Sequence, residues 1–314
     1  MRTAPPLRIR TVLTAVLGLA LGCLAQDARQ AQGQALLDEI RNALEVKPTT
    51  APAAACTLSE VKTGAHRAHG TKPFDYNRSL ALRNPQITYN LKYWMNTGTA
   101  AGEDPLAIEG SSGLGMDRPS GANWYSNNFF EFEYGGKPIL KTALATFEVL
   151  SADGPTASAR VAWDTPAATV TLNVELEGAG DFLRLQCTVT AKGAPEDVTI
   201  GFRAYPGHTA APRARRAATC RRELTAPQKL TLGADEATVL LFDEFDPATS
   251  CALSFATASV RDGTLDLGEY GVTLSFRFPA APVVKTGAFK LWDLDGVTLN
   301  TAMTRVLGNA EQGK

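Results

Sequence analysis

Two strictly alternating segments in the middle of the chain constrain its fold more than anything else in the sequence. Val170, Leu172, Val174 and Leu176 are separated by Thr171, Asn173, Glu175 and Glu177. After Gly178-Ala179-Gly180-Asp181 the pattern returns, with Leu183, Leu185, Cys187 and Val189 separated by Arg184, Gln186, Thr188 and Thr190. A period of two places every apolar side chain on one face of an extended strand, and the intervening glycines supply a turn. Strands with one apolar and one polar face belong in an antiparallel sheet covered on one side. Leu172, Val174, Leu176, Leu183, Leu185 and Val189 are therefore expected in the core, and Thr171, Asn173 and Glu175 outside it.

The same reading extends along the chain. Phe130, Phe132 and Tyr134 alternate with Glu131 and Glu133, and Tyr134-Gly135-Gly136-Lys137 reads as a hairpin turn with residues 139–150 as its return. Val161 and Trp163 lie in a short strand ended by Asp164-Thr165-Pro166. Further strands are expected around Val198, Ile200 and Phe202, and over residues 239–245, 251–255, 272–278 and 288–294. The sequence holds no Gly-rich phosphate loop and no alternation of strands with long helical patterns, which excludes a doubly wound nucleotide-binding fold. The expected fold class is all-β: a large antiparallel two-sheet sandwich over residues 57–300, followed by a tail over 301–314.

A different organisation precedes it. Arg2, Arg8 and Arg10 flank an uncharged, largely apolar run over residues 12–21. The run is too short to span a bilayer and has the length of a signal-peptide core, so residues 1–22 are expected to be an export signal. Two processing outcomes are open. Ala20-Leu21-Gly22 offers small residues to a general signal peptidase. Leu19-Ala20-Leu21-Gly22-Cys23 resembles a bacterial lipobox, with Ala20 where a bulky aliphatic residue is usual, and an acylated Cys23 would tether the chain to a membrane without a spanning helix. Leu36, Leu37, Ile40 and Leu44 recur at helical spacing inside segment 23–46, and residues 47–56, with Pro48 and Pro52 among small residues, read as a linker.

Composition narrows the partners. Among 314 residues, 31 Lys and Arg stand against 32 Asp and Glu, so the net charge of −1 leaves no electrostatic footprint for nucleic acid. Removing residues 1–22 takes away only basic charge. With 44% hydrophobic residues the chain is not a disordered one. Beyond Cys23 the cysteines are Cys56, Cys187, Cys220 and Cys251. Their spacing matches no zinc pattern, and neither a metal nor a cofactor is expected. An oxidising compartment would permit disulfides among the four, while Cys187, in phase with core positions, fits a buried thiol equally well.

Several groups of residues carry candidate chemistry. The segment Arg118 to Asn128 is rich in amides and holds Trp124 and Tyr125 just before a strand; aromatic faces stack on sugar rings while polar side chains satisfy the hydroxyls. Arg118, Asn123, Trp124 and Tyr125 are thus candidate carbohydrate contacts, set against a Trp that simply caps the core. His208, past Tyr205-Pro206-Gly207, is a candidate acid or base, with Asp243 and Glu244 as carboxylate partners. In a strand, however, Asp243 and Glu244 point to opposite faces, and Asp246-Pro247 reads as a turn. His66 and His69 stand between Gly64 and Gly70 in an expected loop, and Asp293, Asp295 and Gly296 read as a surface turn. Arg213, Arg215, Arg216, Arg221 and Arg222 surround Cys220, a basic stretch able to hold sulfated or uronic glycans or to be merely solvated.

The segment from Asn127 to Leu150, a strand, Gly135-Gly136 and an expected return strand, resembles the opening hairpin of galactose-mutarotase-like supersandwich domains. The resemblance covers residues 71–294 as architecture and carries over no individual residue. It implies a supersandwich, and the enzymes of that superfamily work with a His acid and a Glu base. Three functional classes stand side by side: a carbohydrate-binding or surface-interaction module, a sugar-active enzyme built on His208 with Asp243 or Glu244, and a structural envelope lipoprotein without a small ligand.

Overall fold

The computed structural model describes residues 52–60, 76–95, 113–117, 123–125, 128–207 and 214–307. The chain divides into a unit over Met1–Thr50 and a unit over Ala51–Lys314, and all described residues belong to the second. The export signal, the expected helix within 23–46 and Cys23 lie outside the described residues.

In chain order the strands are β1 Ala54–Glu60, β2 Tyr76–Arg83, β3 Thr88–Met95, β4 Gly113–Asp117, β5 Phe130–Tyr134, β6 Ala145–Ser151, β7 Asp153–Gly154, β8 Thr156–Asp164, β9 Ala168–Glu177 and β10 Phe182–Ala191. They continue with β11 Val198–Ala204, β12 Arg215–Ala218, β13 Glu223–Leu224, β14 Gln228–Thr231, β15 Thr238–Asp243, β16 Thr249–Ser254, β17 Asp262–Leu267, β18 Val272–Phe278, β19 Val283–Lys285 and β20 Phe289–Asp295, before helix α1 Leu299–Val306. The protein is an all-β antiparallel sandwich. Its described strands form three hydrogen-bonded sheets rather than two: β4-β3-β2-β1-β7, the long β13-β12-β15-β16-β20-β10-β9-β8-β6 with β19 on β10, and β14-β17-β18-β11-β5.

The alternating pair behaves as its period requires. In β9 and β10 Leu172, Val174, Leu176, Leu183, Leu185, Cys187 and Val189 are buried, and Asn173 and Glu175 stay on the outer face. One hydrophobic core receives Leu80 and Leu82 from the first sheet, Leu172 and Leu185 from the long sheet and Ile200 and Phe276 from the third. Each such side chain contributes about 1.5–3 kcal/mol by leaving water.

Three boundaries differ from expectation. β1 opens at Ala54, so the expected linker over 47–56 ends in strand, where Ala54 and Cys56 reach the core. The expected tail over 301–314 opens in α1, whose Ala302 and Val306 cover Leu240, Phe242, Ala252 and Leu294 on the outer face of the long sheet. The hairpin at Gly135-Gly136 is a turn without a return. Both glycines have positive φ, and Tyr134 and Lys137 close the turn with mutual backbone hydrogen bonds of 2.9 and 3.1 Å. Pro138 then leads into a single 3-10 turn over Ile139–Thr142, β6 pairs with β8, and β5 finds its partner in β11. Proline brings no N–H to a ladder, so a strand returning beside β5 is interrupted at its first residues.

Candidate functional site

The polar face of the third sheet carries a groove of about 500 Å³. β5 supplies Glu131 and Glu133, whose neighbours Phe130, Phe132 and Tyr134 point into the core. On β11, Gly201 lies opposite Glu131 on one side and Ser275 on the other. A Cβ at Gly201 would come within 3.1 Å of the Glu131 Cβ, so the bare backbone makes a notch in the groove floor. Thr199, Thr264, Lys229 and Arg277 line the rest.

Arg203, two residues beyond the notch on the same face, links the groove to a cluster of tyrosines. Its Nη1 donates to Glu131 Oε1 at 3.3 Å, and its guanidinium lies 4.5 Å from the Tyr125 ring centroid. Tyr125 packs on Tyr205 at 5.4 Å, and Tyr205 packs on Tyr270 at 4.6 Å. Tyr270 is 53% exposed, on the turn ahead of β18. Desolvation raises the Glu131 carboxyl above its ordinary pKa, with Arg203 opposing the shift and Glu133 adding to it. Burial likewise pushes the Tyr125 phenol up, opposed by Arg203 and reinforced by Tyr270.

Beneath Tyr205 lies the Arg215–Asp243 pair. Arg215 Nη1 donates to Asp243 Oδ2 at 2.5 Å, and the guanidinium sits 4.6 Å from the Tyr205 ring centroid. Arg215 Nε donates to the Tyr270 carbonyl at 3.3 Å, while Asp243 Oδ1 accepts from the Phe245 amide at 2.9 Å. Gly207 is confined beside the pair: its φ is +82°, and a Cβ there would meet Asp243 at 2.6 Å.

The structure redistributes the sequence candidates. Trp124 is not a stacking platform. It is 2% exposed, forms a bridge to Ala204, and donates from Nε1 to the Trp292 carbonyl at 3.3 Å. Asn123 is fully buried, donating to Asp293 Oδ1 at 2.7 Å, so it cannot contact a surface ligand either. Among the described residues of that segment Tyr125 joins the surface cluster, because adjacent extended residues face opposite ways. Asp293 is likewise interior rather than part of a surface turn. Arg118, His66, His69 and His208 lie outside the described residues. Asp243 and Glu244 do diverge to opposite faces, but both are engaged: Asp243 by Arg215, and the exposed Glu244 by Arg216. Neither is an uncommitted acid or base.

Of the basic stretch, Arg213 lies outside the described residues, and the other four arginines are neutralised from within. Arg215 pairs with Asp243, Arg216 with Glu244, Arg221 with Asp235 and Arg222 with Glu236. Burial pushes Glu236 up, yet hydrogen bonds from Thr219, Arg222 and the Gly233 amide together hold it below its ordinary value. These arginines brace the β12–β15 region instead of presenting a cationic surface. Glu131, Arg203, Tyr205 and Tyr270 were not candidates from sequence. The available signals were a glycine on the polar side of the Val198–Phe202 alternation and a tyrosine in a Gly-flanked turn.

No protein-family model and no curated protein matches the sequence. Among solved structures, a Klebsiella pneumoniae protein provisionally assigned as an aldose 1-epimerase is similar over 82% of this chain and 94% of its own, at 10% identity and a TM-score of 0.47. A Synechocystis protein is similar over 69% of this chain and 96% of its own, at 12% identity and a TM-score of 0.37. An α-galactosidase of Geobacillus stearothermophilus shares 76% of this chain and 41% of its own, at 10% identity and a TM-score of 0.34. At these identities and scores the likeness is a weak one of fold, and it assigns no activity.

Proposed function

We propose that this chain is an exported, non-catalytic carbohydrate-binding protein, with a glycan lying along the groove of the third sheet and stacking on the tyrosine cluster at its end. One observation carries the reading: Tyr270, half exposed, is backed by Tyr205 and held by the buried Arg215, and is joined through Tyr125 and Arg203 to Glu131 of a groove lined by carboxylates and hydroxyls. Sugars need both elements, an apolar face to stack on and polar groups for their hydroxyls. A glycan array followed by calorimetry on the purified protein tests it. Tyr270→Ala should weaken the best glycan about tenfold, a loss of about 1.4 kcal/mol, while the variant still unfolds cooperatively. An unchanged affinity refutes the stacking role, and the absence of any glycan ligand favours a structural envelope protein.

Export and anchoring belong to the same proposal. The chain is cleaved at or near Cys23, which then carries either a free amino terminus or a lipid. Intact mass and N-terminal analysis of natively expressed protein distinguish the two, and retention of residues 1–22 refutes both.

A second reading, a sugar-active enzyme, draws on Glu131. A carboxyl raised by desolvation inside a polar groove is suited to general acid work. Glu131→Gln should then abolish turnover of a bound glycan while leaving its affinity within about twofold.

A further inference from the structure

The outer face of the long sheet holds a second hollow, remote in character from the groove above and independent of its reading. Beside α1 lies a depression of about 570 Å³ whose lining includes Phe182, Trp292, Lys290, Thr238, Ser254 and the ion-paired Arg305 and Asp181. Its floor is aromatic. Trp292 of β20 faces Phe182 of β10 in register, with ring centroids 5.2 Å apart. Trp94, Trp124 and Trp163 are all buried, so Trp292 is the one partly exposed tryptophan.

Charge on this face is unbalanced. Lys290 lies directly across from Arg184, and like charges in that position repel. Arg184 is answered by Glu177 at 3.0 Å. Arg305 is answered by Asp181 at 3.3 Å. Lys290 forms no ion pair among the described residues; its Nζ sits over the Phe182 ring, 4.9 Å from the centroid, in a cation–π contact that leaves the ammonium without an anion. On its other side Lys290 faces Ser254, whose hydroxyl and that of Thr238 share a hydrogen bond of 2.6 Å.

We infer that this hollow binds an acidic glycan, with one uronate ring stacked on Trp292 and Phe182 and its carboxylate on Lys290. The aromatic floor accepts the apolar face of a sugar ring. A carboxylate beside the partly exposed Lys290 ammonium would add an ion pair that the described residues do not supply, and the hydroxyls of Thr238 and Ser254 line the same hollow and can exchange their mutual hydrogen bond for bonds to a sugar. A neutral glycan would leave Lys290 uncompensated, and a purely apolar ligand would strip water from Lys290 and both hydroxyls without replacing their partners.

Intrinsic tryptophan emission gives the test a local readout, since Trp292 is the one partly exposed tryptophan and the groove of the third sheet is lined by none. The full processed chain is titrated with a short oligogalacturonide, and in parallel with its neutral galactan counterpart. The oligogalacturonide should shift Trp292 emission saturably, and added salt should weaken it. Lys290→Met should weaken it about tenfold or more, while Lys290→Arg retains it. Thermal melts confirm that both variants are folded. Equal affinity for the neutral counterpart, a Lys290→Met variant that binds as well as the parent, or no emission change up to saturating sugar would each overturn the inference. Oligogalacturonide binding seen by calorimetry without an emission change places it elsewhere, which overturns this site and leaves the tyrosine groove standing.

Discussion

Arg215 and Asp243 face each other across the β12–β15 ladder and are joined by a 2.5 Å hydrogen bond with both side chains almost wholly out of water. The pair reaches two surface turns at once, through the Tyr270 carbonyl and the Phe245 amide. Among the described residues Arg215 Nη2 finds no acceptor, and the guanidinium lies over Tyr205. Removing one partner strands a charge in the interior. Asp243→Ala should cost about 3–5 kcal/mol in urea unfolding. Replacing both, with Arg215→Met and Asp243→Leu, should cost clearly less than the two single changes added together. A single-variant loss below about 1 kcal/mol would mean that water reaches the pair.

Leu185 is fully buried, in the strand that pairs with both β9 and β20. Leu185→Ala removes its contacts from both neighbours and should cost about 2–5 kcal/mol with an unchanged denaturant slope. Glu175→Ala, on the outer face of β9, should stay within about 0.5 kcal/mol of the parent. If the two costs came out reversed, the register of the β9–β10 pair would be wrong.

The contrast between these positions shows what was legible in the sequence. A one-sided strand announces its faces through its period, so β8, β9, β10, β11 and β18 could be read directly. β2 and β3 carry similar alternation in Leu80 and Leu82 and in Tyr89, Leu91 and Tyr93, but Trp94 and Met95 are both buried and blur the pattern where β3 ends. Pairing was less legible, because the turn at Gly135-Gly136 fixes a reversal of direction and not the strand beyond it. The site was least legible. Tyr125, Tyr205, Tyr270 and Asp243 are spread over more than a hundred residues, and only the crossings between sheets bring them together. Trp124 misled for a local reason: its composition suits a binding loop, but its bridge to Ala204 turns the indole inward.

Asp197 gathers the loop ends of the third sheet. Oδ2 accepts from Arg277 Nη2 at 2.5 Å and from Arg261 Nη1 at 2.9 Å, and Oδ1 accepts from the Ala280 amide at 2.9 Å. The Arg277 hydrogen bond foremost, then the Ala280 amide, hold its carboxyl below the ordinary aspartate value. A depressed carboxylate stabilises the fold above its unfolded pKa and loses that contribution as pH falls through its folded pKa. Asp197→Asn should therefore lower the melting temperature at neutral pH, and the gap to the parent should close in acid. A gap that stayed constant from neutral pH into acid would show that the ionised carboxylate contributes nothing.

The thiols should separate by depth. Burial pushes Cys187 up to about 12 and Cys56 up to about 11, whereas Cys220 lies on the surface. Since the thiolate is the reactive form, iodoacetamide at mildly alkaline pH should modify Cys220 in the folded protein and spare Cys56 and Cys187. In denaturant all three should label, and peptide mass mapping assigns each site. Labelling of native Cys187 as fast as Cys220 would mean that the β9–β10 core opens far more readily than its packing implies. A cysteine still unlabelled in denaturant, and labelled only after reduction, would reveal a disulfide where the structure places free thiols.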